Sequence, residues 1–227
     1  YKNPEDVKDG DENWHEEYDA ETYYTYIPSQ ENLYITEPTK VVGLEGIGYL
    51  SSISEISAGG NSSIAVRNDG YAYAWGDNEN GQLGDGSSDN VAMPMQLLSG
   101  EKNSYVTYFR DALYVDMATD HALITTRSGE VYSWGVNTSG QNGYGYAKSY
   151  NRTPVATAIP RGKVITQIAV GESHVIALAS DGSVYAWGNN DNGQLGIGKK
   201  TQRELTPTLL PITEKIVQIA ATGKGGA

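Results

Sequence analysis

The chain has 227 residues, of which 38 % are hydrophobic, and it contains 27 glycines and 17 tyrosines but one phenylalanine and no cysteine. Its formal net charge is −12, and it lacks the clustered lysines and arginines with which a nucleic-acid-binding protein neutralises phosphates. The lack of cysteine excludes disulfides, a thiolate nucleophile and cysteine-ligated metals, and no apolar run is long enough to predict membrane insertion.

Residues 1–37 are an acidic leader, with eleven carboxylates against two lysines. The leader is also rich in aromatic residues, which are rare in disordered tails, and we therefore predict that it forms a strand or a lid lying on the rest of the chain. These aromatic residues are Trp14, Tyr18, Tyr23, Tyr24 and Tyr26. The chain opens YKNPEDV, without an initiator methionine or a signal peptide, so we expect a processed or excised segment of a larger protein.

The rest of the chain, residues 38–227, is built from a repeat. AYAWGDNENGQLGDG (72–86), VYSWGVNTSGQNGYG (131–145) and VYAWGNNDNGQLGIG (184–198) share one register, and their tryptophans lie 59 and 53 residues apart. Each unit carries a Trp-Gly pair and, seven residues after the tryptophan, a glutamine. These positions are Trp75, Gly76, Gln82, Trp134, Gly135, Gln141, Trp187, Gly188 and Gln194. A fixed period of this length indicates a solenoid or a propeller.

The pattern within each unit predicts β-strands. Apolar and polar residues alternate on both sides of a turn that contains glycine, as in HVIALASDGSVYAWG, and this is the signature of a hairpin. A stretch before the hairpin and a proline-containing stretch after it supply two more strands, and four short antiparallel strands make one propeller blade. We place full repeats at about 54–112, 113–165 and 166–215, with partial repeats at 38–53 and 216–227.

The tryptophans should then pack between neighbouring blades, because a single blade cannot cover both of its own faces. The glycines that follow them should allow left-handed backbone and close approach of chains.

The repeated motif resembles the regulator of chromosome condensation repeat. The resemblance rests on A-G-x-x-H, D-G-x-V-Y-x-W-G and N-x-x-G-Q-L-G-x-G followed by proline, over roughly residues 38–220. This chain departs from the pattern at Ala118, at Asn142, and at Ser62, which stands where the other repeats have His121 and His174. The resemblance implies an all-β propeller, usually of seven blades. Because three full repeats make an incomplete ring, we predict that the remaining blades come from a longer chain or from a second copy.

No motif predicts a metal, a cofactor or an enzyme. His121 and His174 occupy equivalent places, but the third equivalent is Ser62, so we interpret them as packing residues and not as a ring of metal ligands. The runs at 77–81 and 189–193 resemble the start of a calcium loop but lack its final bidentate glutamate, and turn formation explains them better. ATGKGG lacks the spacing of a phosphate-binding loop.

The longer interval between the first two repeats predicts a partner-binding insertion. The additional residues fall within 99–114, SGEKNSYVTYFRDALY, and contain the residue types that anchor protein interfaces. The candidate binding residues are Tyr105, Tyr108, Phe109, Arg110 and Tyr114. The alternative is that the aromatic residues among them fill the outer edge of a blade.

These observations lead to the hypothesis of a non-enzymatic propeller that binds another protein. The resemblance implies clients such as a small GTPase for the nucleotide-exchange members, a ubiquitin-ligase context for some members, and a β-lactamase for a secreted bacterial inhibitor. A structural spacer without a client, or a eukaryotic GTPase-regulator-like propeller, is the alternative. The acidic charge, the lack of cysteine and the abundance of Tyr, Asn, Gly and Ser favour an extracellular or cell-surface location on a bacterium, with the cytoplasm as the alternative.

Overall fold

Residues 35, 37–100 and 107–222 are described by the structure, a computed structural model of the chain. Twelve strands make up the regular structure of this part, together with a short 3-10 helix at Leu44–Gly46. Within the described residues, no helix is long and apolar enough to cross a membrane. The acidic leader and Tyr105 of the insertion lie outside the described residues, so the predictions made for them stay predictions.

The strands form three separate sheets of four antiparallel strands each, and the strand order in every sheet follows the chain. The first sheet contains β1 (Ile53–Gly59), β2 (Ser62–Arg67), β3 (Ala72–Gly76) and β4 (Val91–Gln96). The second contains β5 (Ala112–Met117), β6 (His121–Thr126), β7 (Val131–Asn137) and β8 (Lys148–Ala156). The third contains β9 (Ile165–Val170), β10 (His174–Ala179), β11 (Val184–Asn189) and β12 (Arg203–Leu209).

The prediction of four-stranded blades is therefore confirmed, including the hairpin in the middle of each repeat. This part of the prediction succeeded because period-two alternation and glycine turns are local signals that recur three times in one register. The division of the chain near residue 37 rests on composition alone and stays a prediction.

Apolar side chains from adjacent sheets form the core. One buried cluster joins the first and second sheets through residues such as Leu83, Leu97 and Trp134, and a second cluster joins the second and third sheets around Trp187. Trp134 and Trp187 are both fully buried. Each sheet thus covers an apolar face of its neighbour, as the repeat pattern predicts, whereas Trp75 on the first sheet is half-buried.

The glycine after each tryptophan lets the third strand of a blade pass close to the turn between the first two strands. Gly135 has φ +86°, and a Cβ atom built on it would lie 2.3 Å from the carbonyl oxygen of Asp120. The register of the sheet shifts at this residue, and the next amide, that of Val136, donates to the same Asp120 carbonyl at 2.8 Å. The Trp-Gly pair therefore marks a β-bulge inside the strand and not the exit of the chain from the blade.

The turns lie on two opposite faces of the blades because all three sheets follow the same up-and-down order. The lower face carries the turns after the second strand of each blade and the connections between blades, of which residues 97–100, 107–111 and 157–164 are described. The upper face carries the turns after the first strand and the long loops 77–90, 138–147 and 190–202. On the lower face, the amide of Ala112 donates to Gly70 O at 3.0 Å, which ties the first connection to the first blade.

Candidate functional site on the lower face

The upper-face loops are closed by hydrogen bonds to their own amide side chains. Three asparagines, each three residues after a repeat tryptophan, are fully buried, and their Oδ1 atoms accept amides five residues further on, at 2.9 to 3.1 Å. They are Asn78, Asn137 and Asn190. The side chains of the repeat glutamines close the same loops by accepting from Asn80, Ser139 and Asn192. We had not predicted the asparagines as structural positions, although their constant spacing from the tryptophan is a signal for them.

His121 and His174 do not converge on a set of metal ligands. His121 is fully buried with its Nδ1 atom 3.1 Å from Asp120 Oδ1, and His174 is partly buried. The part of the chain that the structure describes contains no group of three or more His, Asp or Glu residues placed to hold a metal ion. Both histidines lie at the start of a second strand, against the upper-face turn, and the absence of a metal stays a prediction.

The partly buried imidazole of His174 should make the folded state less stable in acid. Burial and, to a smaller extent, the nearby His121 lower the pKa of the His174 imidazole below the ordinary value for histidine. The unfolded chain then binds a proton that the folded chain binds less readily, so stability falls as the pH drops from about 6.5 toward the folded pKa. We expect His174→Ser, which copies Ser62 of the first repeat, to reduce the loss of urea midpoint between pH 7.5 and pH 5.5. An unchanged pH dependence of the midpoint would contradict the assignment to His174.

The structure separates the predicted partner-binding residues into two groups. Phe109 is 4 % exposed and its ring meets Tyr132 edge-on, with centroids 5.1 Å apart. Phe109 therefore packs within the protein, as the alternative interpretation of the insertion expects. Its amide also donates to Leu97 O at 2.8 Å and so holds the connection against the first blade. Tyr108 and Arg110 flank it and are exposed.

Tyr114 is separate from the other candidates. It is 39 % exposed, but it lies within β5 opposite Thr125 and not in the connection. Among the described residues, no ring contact joins it to Tyr108 or Arg110. Tyr114 is thus a strand residue with a partly accessible ring.

Arg110 belongs to a cluster that the sequence did not predict. Its guanidinium lies 5.3 Å from the ring centroid of Tyr71, and the Arg67 guanidinium lies 5.9 Å from the same ring. Tyr71 comes from the β2–β3 turn of the first blade and Arg110 from the connection to the second, so the cluster bridges two blades on the lower face. We call these three residues, together with the exposed Tyr108 two residues before Arg110 in the same connection, the tyrosine–arginine cluster.

Charge is distributed unevenly within the tyrosine–arginine cluster. Arg67 is paired with Asp69, whose carboxylate accepts from Arg67 Nε at 2.9 Å, and this hydrogen bond lowers the pKa of Asp69. Arg110 has no carboxylate partner among the described residues. The exposed guanidinium of Arg110, stacked on a tyrosine, is available to a carboxylate or a carbonyl oxygen of a bound partner.

A cleft borders the cluster on the first blade. It has a volume of about 280 Å³ and is lined by residues of 43–51 together with Arg67 and Tyr73. Residues 41–50 repeat the geometry of the later connection: Leu50 N donates to Val41 O at 2.9 Å, as Phe109 N does to Leu97 O at 2.8 Å. Tyr49 forms an isolated β-bridge with Val42, just as Tyr108 does with Leu98. Both tyrosines are exposed, Tyr49 to 61 % beside this cleft and Tyr108 to 43 %.

Comparison with known proteins agrees with the repeat. The family model described as "Regulator of chromosome condensation (RCC1) repeat" matches residues 69–113, 128–178 and 181–225, and a second model of the same description matches 53–82 and 165–194. The ultraviolet-B receptor UVR8 of Arabidopsis thaliana is 36 % identical over 170 residues, covering 74 % of this chain and 37 % of the receptor. The human E3 ubiquitin-protein ligase HERC2 is 33 % identical over 162 residues, covering 70 % of this chain and 3 % of the ligase.

Solved structures show the same fold. Human WBSCR16 superposes with a TM-score of 0.66 at 23 % identity, over 82 % of this chain and 46 % of that one. Yeast RCC1 (Prp20), in a structure bound to Kap60, gives a TM-score of 0.64 at 23 % identity, over 81 % of this chain and 47 % of that one. The chain spans less than half the length of each of these four relatives.

Proposed function

The chain belongs to the regulator of chromosome condensation (RCC1) repeat family, and from that premise we propose that it is a non-enzymatic, protein-binding part of a β-propeller whose contact surface is the tyrosine–arginine cluster. The observation that carries the proposal is the placement of exposed Tyr108 and Arg110 on either side of buried Phe109. Phe109 holds the connection in place, so the two neighbours lose little conformational freedom when a partner binds.

The chemistry of the cluster supports a protein partner. Tyrosine and arginine are enriched among the residues that dominate binding energy at protein interfaces. The stacked guanidinium of Arg110 can donate two parallel hydrogen bonds to a carboxylate, which makes an acidic segment a fitting occupant.

The relatives support protein binding in general and leave the client of this chain as a proposal. The yeast RCC1 structure contains bound Kap60, and a second structure, of Prp20p, is described together with its binding properties to Gsp1p and histones. Docking on the DNA of a nucleosome would be helped by a basic surface, but this chain has 28 acidic against 16 basic residues. We therefore propose a client other than the nucleosome. Ligase activity is likewise not proposed, since the match covers 3 % of HERC2.

A pair of matched tyrosine variants tests the proposal. Tyr108 is 43 % exposed on the lower face and Tyr146 is 47 % exposed in an upper-face loop. We expect Tyr108→Ala and Arg110→Ala each to weaken binding of a captured partner by at least about 30-fold, because a hot-spot side chain contributes about 2 kcal/mol or more. Tyr146→Ala should leave the affinity unchanged, and all three variants should melt within a few degrees of the parent protein.

The measurement is quantitative affinity capture from cells of the source organism, followed by titration of the captured protein against each variant. Retention of every captured protein by Tyr108→Ala and Arg110→Ala would overturn the placement of the surface. The spacer alternative predicts that no protein is captured by the parent chain above the background level.

The location is a separate proposal. Acidic charge and the absence of cysteine support an extracellular or cell-surface protein of a bacterium. The relatives named above come from a plant, yeast and humans, which supports a eukaryotic GTPase-regulator-like propeller as the alternative. Antibody labelling of the culture medium and of intact cells tests the location. Detection there supports an extracellular or cell-surface protein, whereas detection only after lysis supports the cytoplasmic alternative.

A further inference from the structure

The connection that enters each blade on the lower face lies against the hairpin turn of that blade. In all three blades the first residue of the turn donates its amide to the last residue of the connection, at 2.8 to 3.1 Å. These hydrogen bonds run from Asn68 N to Ser52 O, from Arg127 N to Asp111 O and from Ser180 N to Val164 O. Because this pairing is the same in each blade, one further residue of the connection stands opposite the second residue of the turn. The opposite positions are Ser51 and Asp69, Arg110 and Ser128, and Lys163 and Asp181.

In the third blade the two opposite residues form an ion pair. Lys163 Nζ donates to Asp181 Oδ2 at 2.6 Å, and Ser183 N donates to Asp181 Oδ1 at 3.0 Å. The hydrogen bond from Lys163 and, to a smaller extent, those from Ser183 lower the pKa of the Asp181 carboxyl. A carboxylate at the second position of the turn therefore pairs with the cation that the connection presents.

The second blade has the cation but not the carboxylate. Arg110 stands where the third blade has Lys163, and Ser128 stands where it has Asp181. The Ser128 hydroxyl offers no negative charge. Arg110 turns instead to the preceding blade, where its guanidinium lies 5.3 Å from the ring centroid of Tyr71. It gains a ring contact there, but no ion pair.

The carboxylates on the turns and the connection around Arg110 have other partners. Asp69 Oδ2 accepts from Arg67 Nε at 2.9 Å, Asp111 Oδ1 lies 3.4 Å from Arg127 Nη1, and Glu130 Oε2 accepts from Ser128 Oγ at 3.3 Å. Within the described residues, none of the three pairs with Arg110. Arg110 is exposed, and because it lies between two complete blades, no further blade is needed to define its surroundings.

We propose that Ser128 is the specificity-determining residue of the client surface. It leaves Arg110 unpaired, so that an aspartate or glutamate of the bound protein pairs with Arg110 as Asp181 pairs with Lys163. This inference rests on the proposed function, since it names the chemical group that the tyrosine–arginine cluster recognises and the residue that keeps the site open.

Charge complementarity supports this occupant. An exposed guanidinium without an acidic neighbour attracts a carboxylate and can bind it through two parallel hydrogen bonds. The contact with Tyr71 holds the guanidinium in place, so that little side-chain freedom is lost when the partner binds. The third blade should not bind the same group, because Lys163 is already paired with Asp181.

Ser128→Asp tests the inference by supplying the carboxylate from within the chain. The turn accommodates aspartate, since Asp69 and Asp181 stand at this place in the other blades and accept the amide two residues further on. In the full 227-residue chain, we expect Ser128→Asp to weaken binding of the captured client about as much as Arg110→Ala, at least about 30-fold. Ser128→Asn has nearly the same size without the charge and should leave the affinity within about twofold.

Two further measurements separate the ion pair from general effects of charge. Ser180→Asp adds the same charge to the exposed turn of the third blade, and it should leave the affinity for the client within about twofold. The carboxyl introduced by Ser128→Asp is itself a probe that needs no client. Its pKa, measured by NMR titration, should lie below that of an ordinary aspartate and should rise when Arg110→Ala is added.

Unchanged affinity in Ser128→Asp, together with a loss in Arg110→Ala, would overturn this inference and leave the proposed function standing. A loss in Ser128→Asn as large as that in Ser128→Asp would also overturn it, because the hydroxyl and not the missing charge would then matter. Binding that is abolished by phosphatase treatment of the client would replace the carboxylate by a phosphate. Retained binding in Arg110→Ala would overturn the proposed function itself.

Discussion

Trp134→Ala should destabilise the chain by about 3–5 kcal/mol, the range observed when a buried tryptophan is truncated. Trp134 is fully buried between the first two blades, and its Nε1 atom donates a hydrogen bond to Gln82 O at 2.7 Å. Removal of the indole leaves a cavity in the apolar cluster and an unpaired buried carbonyl. Since a domain of this kind has about 5–15 kcal/mol of total stability, this single change removes a large part of it.

Urea unfolding followed by far-ultraviolet circular dichroism measures the effect. With a slope of about 1–3 kcal/mol per molar urea, we expect the midpoint to fall by roughly 1–5 M. Trp75→Ala is the matched control, because the same residue type at the same place in the repeat is half-buried and makes no hydrogen bond from Nε1 to a described residue. A loss of midpoint as large for Trp75→Ala as for Trp134→Ala would show that burial between blades is not what makes the tryptophan stabilising.

The contrast between these two tryptophans shows where sequence reasoning succeeds and where it stops. The strands were predictable because alternation and turn glycines are local properties of each repeat. The burial of a given indole is not local, since it depends on the Gln-Leu-Gly loop of a neighbouring blade. Trp75 and Trp134 occupy the same sequence context and differ in structure only through that neighbour.

Asp116 is a second example. Its carboxylate accepts from Ser57 Oγ at 3.1 Å and from Val170 N at 2.8 Å, and so links the first strands of all three blades. The corresponding residues are Ser57 and Ala169, so the repeat itself carried no sign of this contact. A lone aspartate in an otherwise apolar strand, ALYVDM, was the signal available, because a carboxylate in such a position needs partners.

The candidate site was predictable only in part. The length of the interval located the insertion, and residue types suggested contact, but neither shows which way a side chain points in an irregular connection. Phe109 turned out to belong to the core, while the neighbours on either side of it are exposed. Tyr71 and Arg67 escaped notice because they come from a different blade, and only the packing of the two blades brings them to Arg110.

Gly135→Ala should be strongly destabilising although it leaves the tryptophans intact. The new Cβ atom would lie 2.3 Å from Asp120 O and 2.6 Å from the Cα atom of His121. Both atoms belong to the backbone of the adjacent turn, so no side-chain rotation relieves the clash. Left-handed backbone costs a residue with a side chain about 1–2 kcal/mol, and overpacking adds about 1–3 kcal/mol, which predicts a total loss of about 2–5 kcal/mol.

Gly162→Ala separates the two contributions. Gly162 has φ +81°, close to the +86° of Gly135, but a Cβ atom there would meet nothing within 4 Å. The variant at Gly162 should therefore lose about 1–2 kcal/mol in urea unfolding, from backbone conformation alone, and the difference between the variants measures the close approach of strand and turn. Equal losses at the two positions would mean that the repeated glycine is retained for its dihedral angles and that the bulged strand has room for a methyl group. A larger loss at Gly135 means that the glycine after each tryptophan is needed because the strand carrying the indole must lie directly against the turn behind it.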